Sequence, residues 1–172
     1  MVDALKFAVL WCIAFYCTFK GYGNPTLSMI GFCCTIGVPV VGGVLAYRFE
    51  KQVREDGPVG YGKAYMYSVM LYLFASILMT LFSFAYFQWM EPGSFASTEI
   101  EVLSSPEAQK AFNGVDIFQA LNSMARQEGF KSYEDYLHSI SAIDIAATIF
   151  NMNFFLSIFL ALPTALFGKS RR

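Results

Sequence analysis

Charge is what this sequence has least of. Of its 172 residues only 15% are charged, 12 basic and 13 acidic, where an ordinary soluble domain carries about 25%. The net charge of −1 offers no basic field to a nucleic-acid backbone, which excludes that class of partner. Histidine is nearly absent too. His138 stands alone, four residues after Glu134 and three after Asp135, so acid and imidazole share a helical face. That pair resembles half of a metal site, but no second histidine completes it, and no metal is expected. The cysteines, Cys12, Cys17, Cys33 and Cys34, show no CxxC spacing and all lie in apolar sequence, which argues against a disulfide framework and a zinc site alike. HExxH and GxSxG are missing. Gly57-Pro58-Val59-Gly60-Tyr61-Gly62 is glycine-rich but lacks the preceding strand and the GK[ST] ending of a phosphate-cradling loop. No catalytic residue and no cofactor is expected.

What the chain does have is long apolar sequence. Apolar residues make up 56% of it, gathered into runs at 4–20, 27–47, 64–90 and 141–167. A bilayer core needs about 20 apolar residues at about 1.5 Å each. Three runs meet that length, and the first needs its flanks. No small-residue cleavage site follows the run that ends at Lys20, so a retained helix is expected there rather than a signal peptide. The expected fold is all-α: one membrane domain over 1–172, an integral membrane four-helix bundle with a partly helical outward loop at about 91–140.

Basic residues orient it. Arg48, Lys51, Arg54 and Lys63 lie between the second and third runs; Lys169, Arg171 and Arg172 follow the fourth; Lys6 is near the start. With four spans these all fall on one side, opposite Lys20, Lys110, Arg126 and Lys131, so both termini should be cytoplasmic. Arg48, Lys51, Arg54 and Lys63 are candidates for contact with lipid headgroups or a partner. Within the outward loop, Ser105-Pro106-Glu107 reads as a helix start and Gly114 as its end. A short amphipathic helix follows, with Phe118, Leu121, Met124 and Ala125 recurring along it and Gly129 just past its end. Ser132 through Asp135 should open a helix that runs unbroken into the fourth span.

Inside the membrane, Gly31, Thr35, Pro39 and Gly43 recur every four residues of the second span, small enough to let helix backbones approach. Pro39 should kink that span. The third span sets Ser68, Ser76, Thr80 and Ser83 near one face. The fourth carries a stripe of Ser141, Asp144, Thr148 and Asn151, followed by Asn153 and Ser157. Polar groups in hydrocarbon seek one another, so both stripes are expected to face inward. Asp144, Thr148, Asn151 and Asn153 form the candidate polar or ion site, because ionisable and amide groups within a span are functional candidates by default.

The flanks of the basic turn carry a resemblance. Ala46-Tyr47-Arg48-Phe49-Glu50-Lys51, then Gly57 and Gly60-Tyr61-Gly62-Lys63-Ala64, and the exit Tyr86-Phe87-Gln88-Trp89-Met90-Glu91-Pro92 resemble a Bacteroidota membrane-protein family, domain of unknown function 4199. The likeness runs almost end to end, although Gly60 stands where members more often have a hydroxyl residue. It implies a bacterial inner-membrane location, with 91–140 periplasmic, and no established activity. Members' genes often neighbour a polyprenyl-phosphate glycosyltransferase, which implies such an enzyme as a partner. Three functional expectations follow, among them an envelope enzyme using acidic loop residues such as Glu134 and Asp135. The leading one is a non-catalytic accessory or scaffold protein that docks a membrane partner or a second copy. The alternative is a small oligomeric transporter or channel that uses the polar residues of the fourth span.

Overall fold

The computed structural model describes residues 2–22, 24–54, 57–106 and 117–170. Every regular element among them is helical: α1 (Val2–Lys20), α2 (Pro25–Val53), α3 (Tyr61–Ala85), α4 (Ser94–Ser104), α5 (Ile117–Gln127), α6 (Tyr133–Ser139) and α7 (Ala142–Phe167). A π-helical turn, Tyr86–Met90, extends α3. Three helical stretches are long and apolar enough to cross a membrane: Pro25–Val53, Tyr61–Met90 and Ala142–Phe167. Only 28% to 39% of the residues in their most apolar parts are buried, and their exposed side chains include Phe32, Ile36, Phe74, Leu81, Phe155 and Phe159. Water would not tolerate such surfaces, whereas lipid does.

Local sequence sets where these helices begin. Asn24 caps α2, its side-chain oxygen accepting from the backbone N–H groups of Thr26 and Leu27 at 3.2 and 3.3 Å. Pro25 follows at the first helical position, where its missing N–H costs nothing. The helix continues through Pro39 to Val53, well past the apolar run, because Tyr47–Gln52 are competent helix formers that can end in water. At the far end of α3, the Glu91 N–H donates to the Tyr86 carbonyl, and Gly93 then takes a left-handed conformation, φ +79°, just before α4.

The chain divides into two compact units, 1–83 with 146–172 and 84–145. In the first, α1, α2, α3 and α7 all contribute to one buried cluster: Phe7, Ala8 and Trp11, Val38 and Leu45, Leu71, Tyr72, Ala75 and Met79, and Ala161. Tyr72 is its hub. Fully buried, its ring meets Phe7 edge-on at 5.2 Å and Trp11 at 6.0 Å. Its hydroxyl pairs with the Thr164 hydroxyl at 3.0 Å. A methyl group added at Gly42 would collide with that hydroxyl and come within 2.8 Å of Cζ. One side chain of α3 therefore touches α1, α2 and α7. Elsewhere α2 presses on α1 at Gly31, where an added Cβ would lie 2.7 Å from the Thr18 backbone nitrogen.

The second unit holds the π turn, α4, α5, α6 and the first residues of α7. A Schellman motif closes α5: Phe130 N–H donates to the Ala125 carbonyl and Gly129 N–H to that of Arg126, with Gly129 at φ +94°. Asn122 then accepts from the Tyr133 N–H at 2.8 Å, tying α5 to α6. Partial burial, helped by the nearby negative charge of Glu99 and by Tyr136, pushes the Tyr133 phenol up.

Two expectations are corrected. The helix from Tyr133 does not run into the last span: it ends at Ser139, Ile140 is extended, and α7 starts afresh at Ala142. The stripe Ser141, Asp144, Thr148 and Asn151 is exposed rather than inward-facing. Instead α7 buries Ile145 at its start and then Ala146, Asn153, Ser157, Ala161, Thr164 and Ala165. Between membrane helices small size decides the buried face, since lipid competes with large apolar groups for nothing. The helix start expected at Pro106 falls almost wholly outside the described residues; Ser105 is extended and Pro106 helical.

Tyr72 and Gly42 form a testable pair. Tyr72→Phe should cost about 1 kcal/mol for the lost buried hydrogen bond. Gly42→Ala should cost about 1–3 kcal/mol by overpacking. The double variant should cost less than the sum, since removing the hydroxyl makes room for the methyl. Unfolding equilibria in detergent micelles would measure all three.

Candidate functional site: the basic helix ends and the C-terminal tail

The strongest convergence of polar groups lies where α2 ends, α3 begins and the chain leaves α7. Glu50, in the last turns of α2, is 5% exposed. Its Oε1 accepts from the Ser170 hydroxyl at 2.7 Å. The same hydroxyl accepts from the Val59 N–H at 3.0 Å, and the Ser170 N–H donates back to the Val59 carbonyl at 3.0 Å. Ser170 is thus fastened to two chain segments at once. Arg54, one helical turn beyond Glu50, stands 3.9 Å away with its side chain 65% exposed. That geometry is a long, solvent-screened ion pair of little energetic weight. What retains the buried carboxylate is the hydrogen bond from the tail.

Small residues bring these segments together. Val59, Ala64 and Ala165 form a second buried cluster flanked by Phe49, Val53 and Tyr65. A Cβ on Gly168 would come within 3.1 Å of the Ala46 carbonyl. Tyr61, at the start of α3, donates its hydroxyl to the Leu162 carbonyl at 3.1 Å. Beside this junction opens a cavity of about 900 Å³, lined by Arg54, Gly57, Pro58, Val59, Gly60, Leu166, Lys169 and Ser170.

Of the basic residues singled out by sequence, Arg48, Lys51, Arg54 and Lys63 are all exposed. Only Arg54 lines the cavity; the Lys51 ammonium lies 4.9 Å over the Tyr47 ring. Glu50, Lys169 and Ser170 were not among the candidates. The Glu50–Arg54 spacing of four, and a serine between the tail's basic residues, are the only sequence signals for them.

The polar candidates of the last span do not converge. Asp144 belongs to a capping box at the start of α7: Ser141 Oγ accepts from the Asp144 N–H at 3.3 Å, and the Asp144 carboxylate accepts from both the Ser141 N–H, at 3.3 Å, and the Ser141 hydroxyl. Ser141-Ala142-Ile143-Asp144 carried that S-x-x-[DE] signature in plain view. Asn153 is buried and donates to the Met79 sulfur at 3.4 Å. Thr148 and Asn151 are exposed on α7. Of the packing candidates, Gly31 and Gly43 are buried, Gly43 facing the Phe167 ring. Pro39 is half-buried, and the exposed Thr35 turns its hydroxyl back on the Gly31 carbonyl at 2.8 Å. His138 is exposed, and no group of three or more His, Cys, Asp or Glu residues is placed to hold a metal among the described residues.

Two expected outcomes follow. Ser170→Ala and Glu50→Ala should each free the tail and speed tryptic cleavage after Lys169 several-fold, read by mass spectrometry of the purified protein. Ser141→Ala and Asp144→Ala should each cost about 1 kcal/mol and combine to less than their sum, with faster amide exchange confined to the first turn of α7.

No curated protein and no solved structure matches the chain. A family model does, over residues 3–170, almost the whole length. The match covers all three membrane-length helices together with the basic junction and Ser170, and the chain therefore belongs to the family described as protein of unknown function, DUF4199.

Proposed function

We propose that this protein is a non-catalytic accessory or scaffold protein of the bacterial inner membrane that docks a membrane partner through the outer face of α7. In this reading α1 joins the three longer helices in crossing the bilayer, both termini are cytoplasmic and residues 91–140 are periplasmic. The observation that carries it is the exposed pair Thr148 and Asn151. Asn151 lies nine residues beyond Ala142, about 14 Å along the helix axis, well inside the span. Neither side chain hydrogen-bonds to a described residue, and the hydrocarbon of a bilayer offers no partner. An amide left there costs several kcal/mol, whereas a second helix would satisfy it. Exposed Ala147 beside them lets a backbone approach closely.

The same placements weigh against a transport path within one chain. Asp144 is occupied by helix capping and Asn153 by Met79, while Thr148 and Asn151 face away from the buried cluster. The family resemblance favours an envelope polyprenyl-phosphate glycosyltransferase as the partner.

The test is purification from native membranes in mild detergent, followed by mass spectrometry. A stoichiometric membrane protein should accompany the wild type, and Asn151→Leu should lower its recovery at least fivefold while the variant stays folded. Equal recovery with Asn151→Leu, or no companion protein with either, would overturn the proposal.

A further inference from the structure

The cavity beside the tail has no part in docking through α7, and its lining has a definite chemistry. Among the described residues that border it are two cations, Arg54 and Lys169, and no acid. Both are exposed. Arg54 has only the long contact to Glu50, and Glu50 is already engaged by Ser170. Lys169 makes no ion pair among the described residues. Across 48–63 and 168–172 the sequence holds seven basic residues, Arg48, Lys51, Arg54, Lys63, Lys169, Arg171 and Arg172, against three acidic ones, Glu50, Glu55 and Asp56. The local balance is positive in a chain whose net charge is −1.

The backbone adds to this. Gly57 sits at φ +124°, and a Cβ at Gly57, Gly60 or Gly62 would meet nothing within 4 Å. The segment leading into α3 is therefore open to approach. The Gly60 carbonyl accepts from the Ala64 N–H at 3.1 Å, so the N–H groups of Tyr61, Gly62 and Lys63 have no partner within their own helix. Partial positive charge is concentrated there. The wall also includes Leu166, 64% exposed in the last turn of α7. Cations thus lie beside an apolar side chain at a membrane helix end, next to the start of α3, which is where headgroup meets acyl chain.

We propose that this cavity binds a phosphate group, as carried by an anionic phospholipid headgroup or by a soluble phosphate compound. Arg54 and Lys169 supply charge-assisted hydrogen bonds to its oxygens. Leu166 lies against the first methylenes of an attached chain when the ligand is a lipid. Attraction of anionic lipid to basic residues at a membrane surface is worth about a fivefold gain in affinity per residue. The cavity adds a fixed place for the phosphate.

The test uses the full chain in detergent with three probes: dihexanoyl phosphatidylglycerol, dihexanoyl phosphatidylcholine and inorganic phosphate. Phosphatidylglycerol should bind measurably tighter than phosphatidylcholine. An Arg54→Gln/Lys169→Gln double variant should weaken it by about 30-fold, the product of two such residues. Arg48→Gln/Lys51→Gln, which removes equal charge outside the cavity, should weaken binding at least fivefold less than that. Inorganic phosphate binding as tightly as phosphatidylglycerol, and lost in the same double variant, would assign the site to a soluble phosphate. Circular dichroism and gel filtration would establish that each variant is folded. Equal weakening by the two double variants, or no difference between the two lipids together with no phosphate binding, would overturn the proposal.

Discussion

The first unit depends on one aromatic ring. Tyr72 lies where four helices can all reach it, and each contributes something different: Phe7 and Trp11 of α1 offer ring edges, Gly42 of α2 offers space, and Thr164 of α7 offers a hydroxyl. In a bilayer no hydrophobic force drives helices together, so association relies on close fit and on polar groups that lipid cannot satisfy. Tyr72 combines both in one side chain. Its hydroxyl is usable only because α2 has no side chain at Gly42, and its ring fills the space that glycine leaves.

The same principle explains how α7 packs. Read by polarity alone in hydrocarbon, it would turn Asp144, Thr148 and Asn151 inward and its phenylalanines outward. Its phenylalanines do include the outward Phe155, Phe159 and Phe167, but what faces the core is Ala146, Ala161 and Ala165 with Asn153, Ser157 and Thr164. Small residues and short hydroxyls are selected together, because each permits the neighbouring backbone to come close. Some hydroxyls also satisfy themselves on their own helix, as Ser157 does on the Asn153 carbonyl at 2.6 Å and Ser68 on that of Ala64 at 2.9 Å. Polarity alone therefore does not identify an inward face. An amide such as Asn151 cannot be satisfied so easily, which is why its exposure points outside the chain.

At the basic helix ends the structure joins features that are far apart in sequence. Glu50, Val59 and Ser170 meet through a single serine hydroxyl that donates to one and accepts from the other. The arrangement leaves Arg54 only a long contact to Glu50 and sets Arg54 and Lys169 on the wall of an open cavity. A buried carboxylate thereby orders a basic surface without neutralising it.

Long apolar runs, capping signals and the positions of charge were all written locally, and from them the sequence by itself determined the helical class, the membrane-length helices, the Asn24 cap, the Gly129 terminus and the family. Each is decided within a few residues along the chain, by hydrogen bonding to the nearest backbone groups or by transfer of a contiguous segment into lipid. The break at Ile140 was equally local, and legible from Ser141 and Asp144 as a capping box. Tertiary structure alone decided which faces are buried, that Gly42 stands opposite Tyr72, and that Glu50 and Ser170 share a hydrogen bond although 120 residues separate them. Those outcomes depend on how closely two backbones can approach, and that distance is a property of the assembled helices rather than of either one.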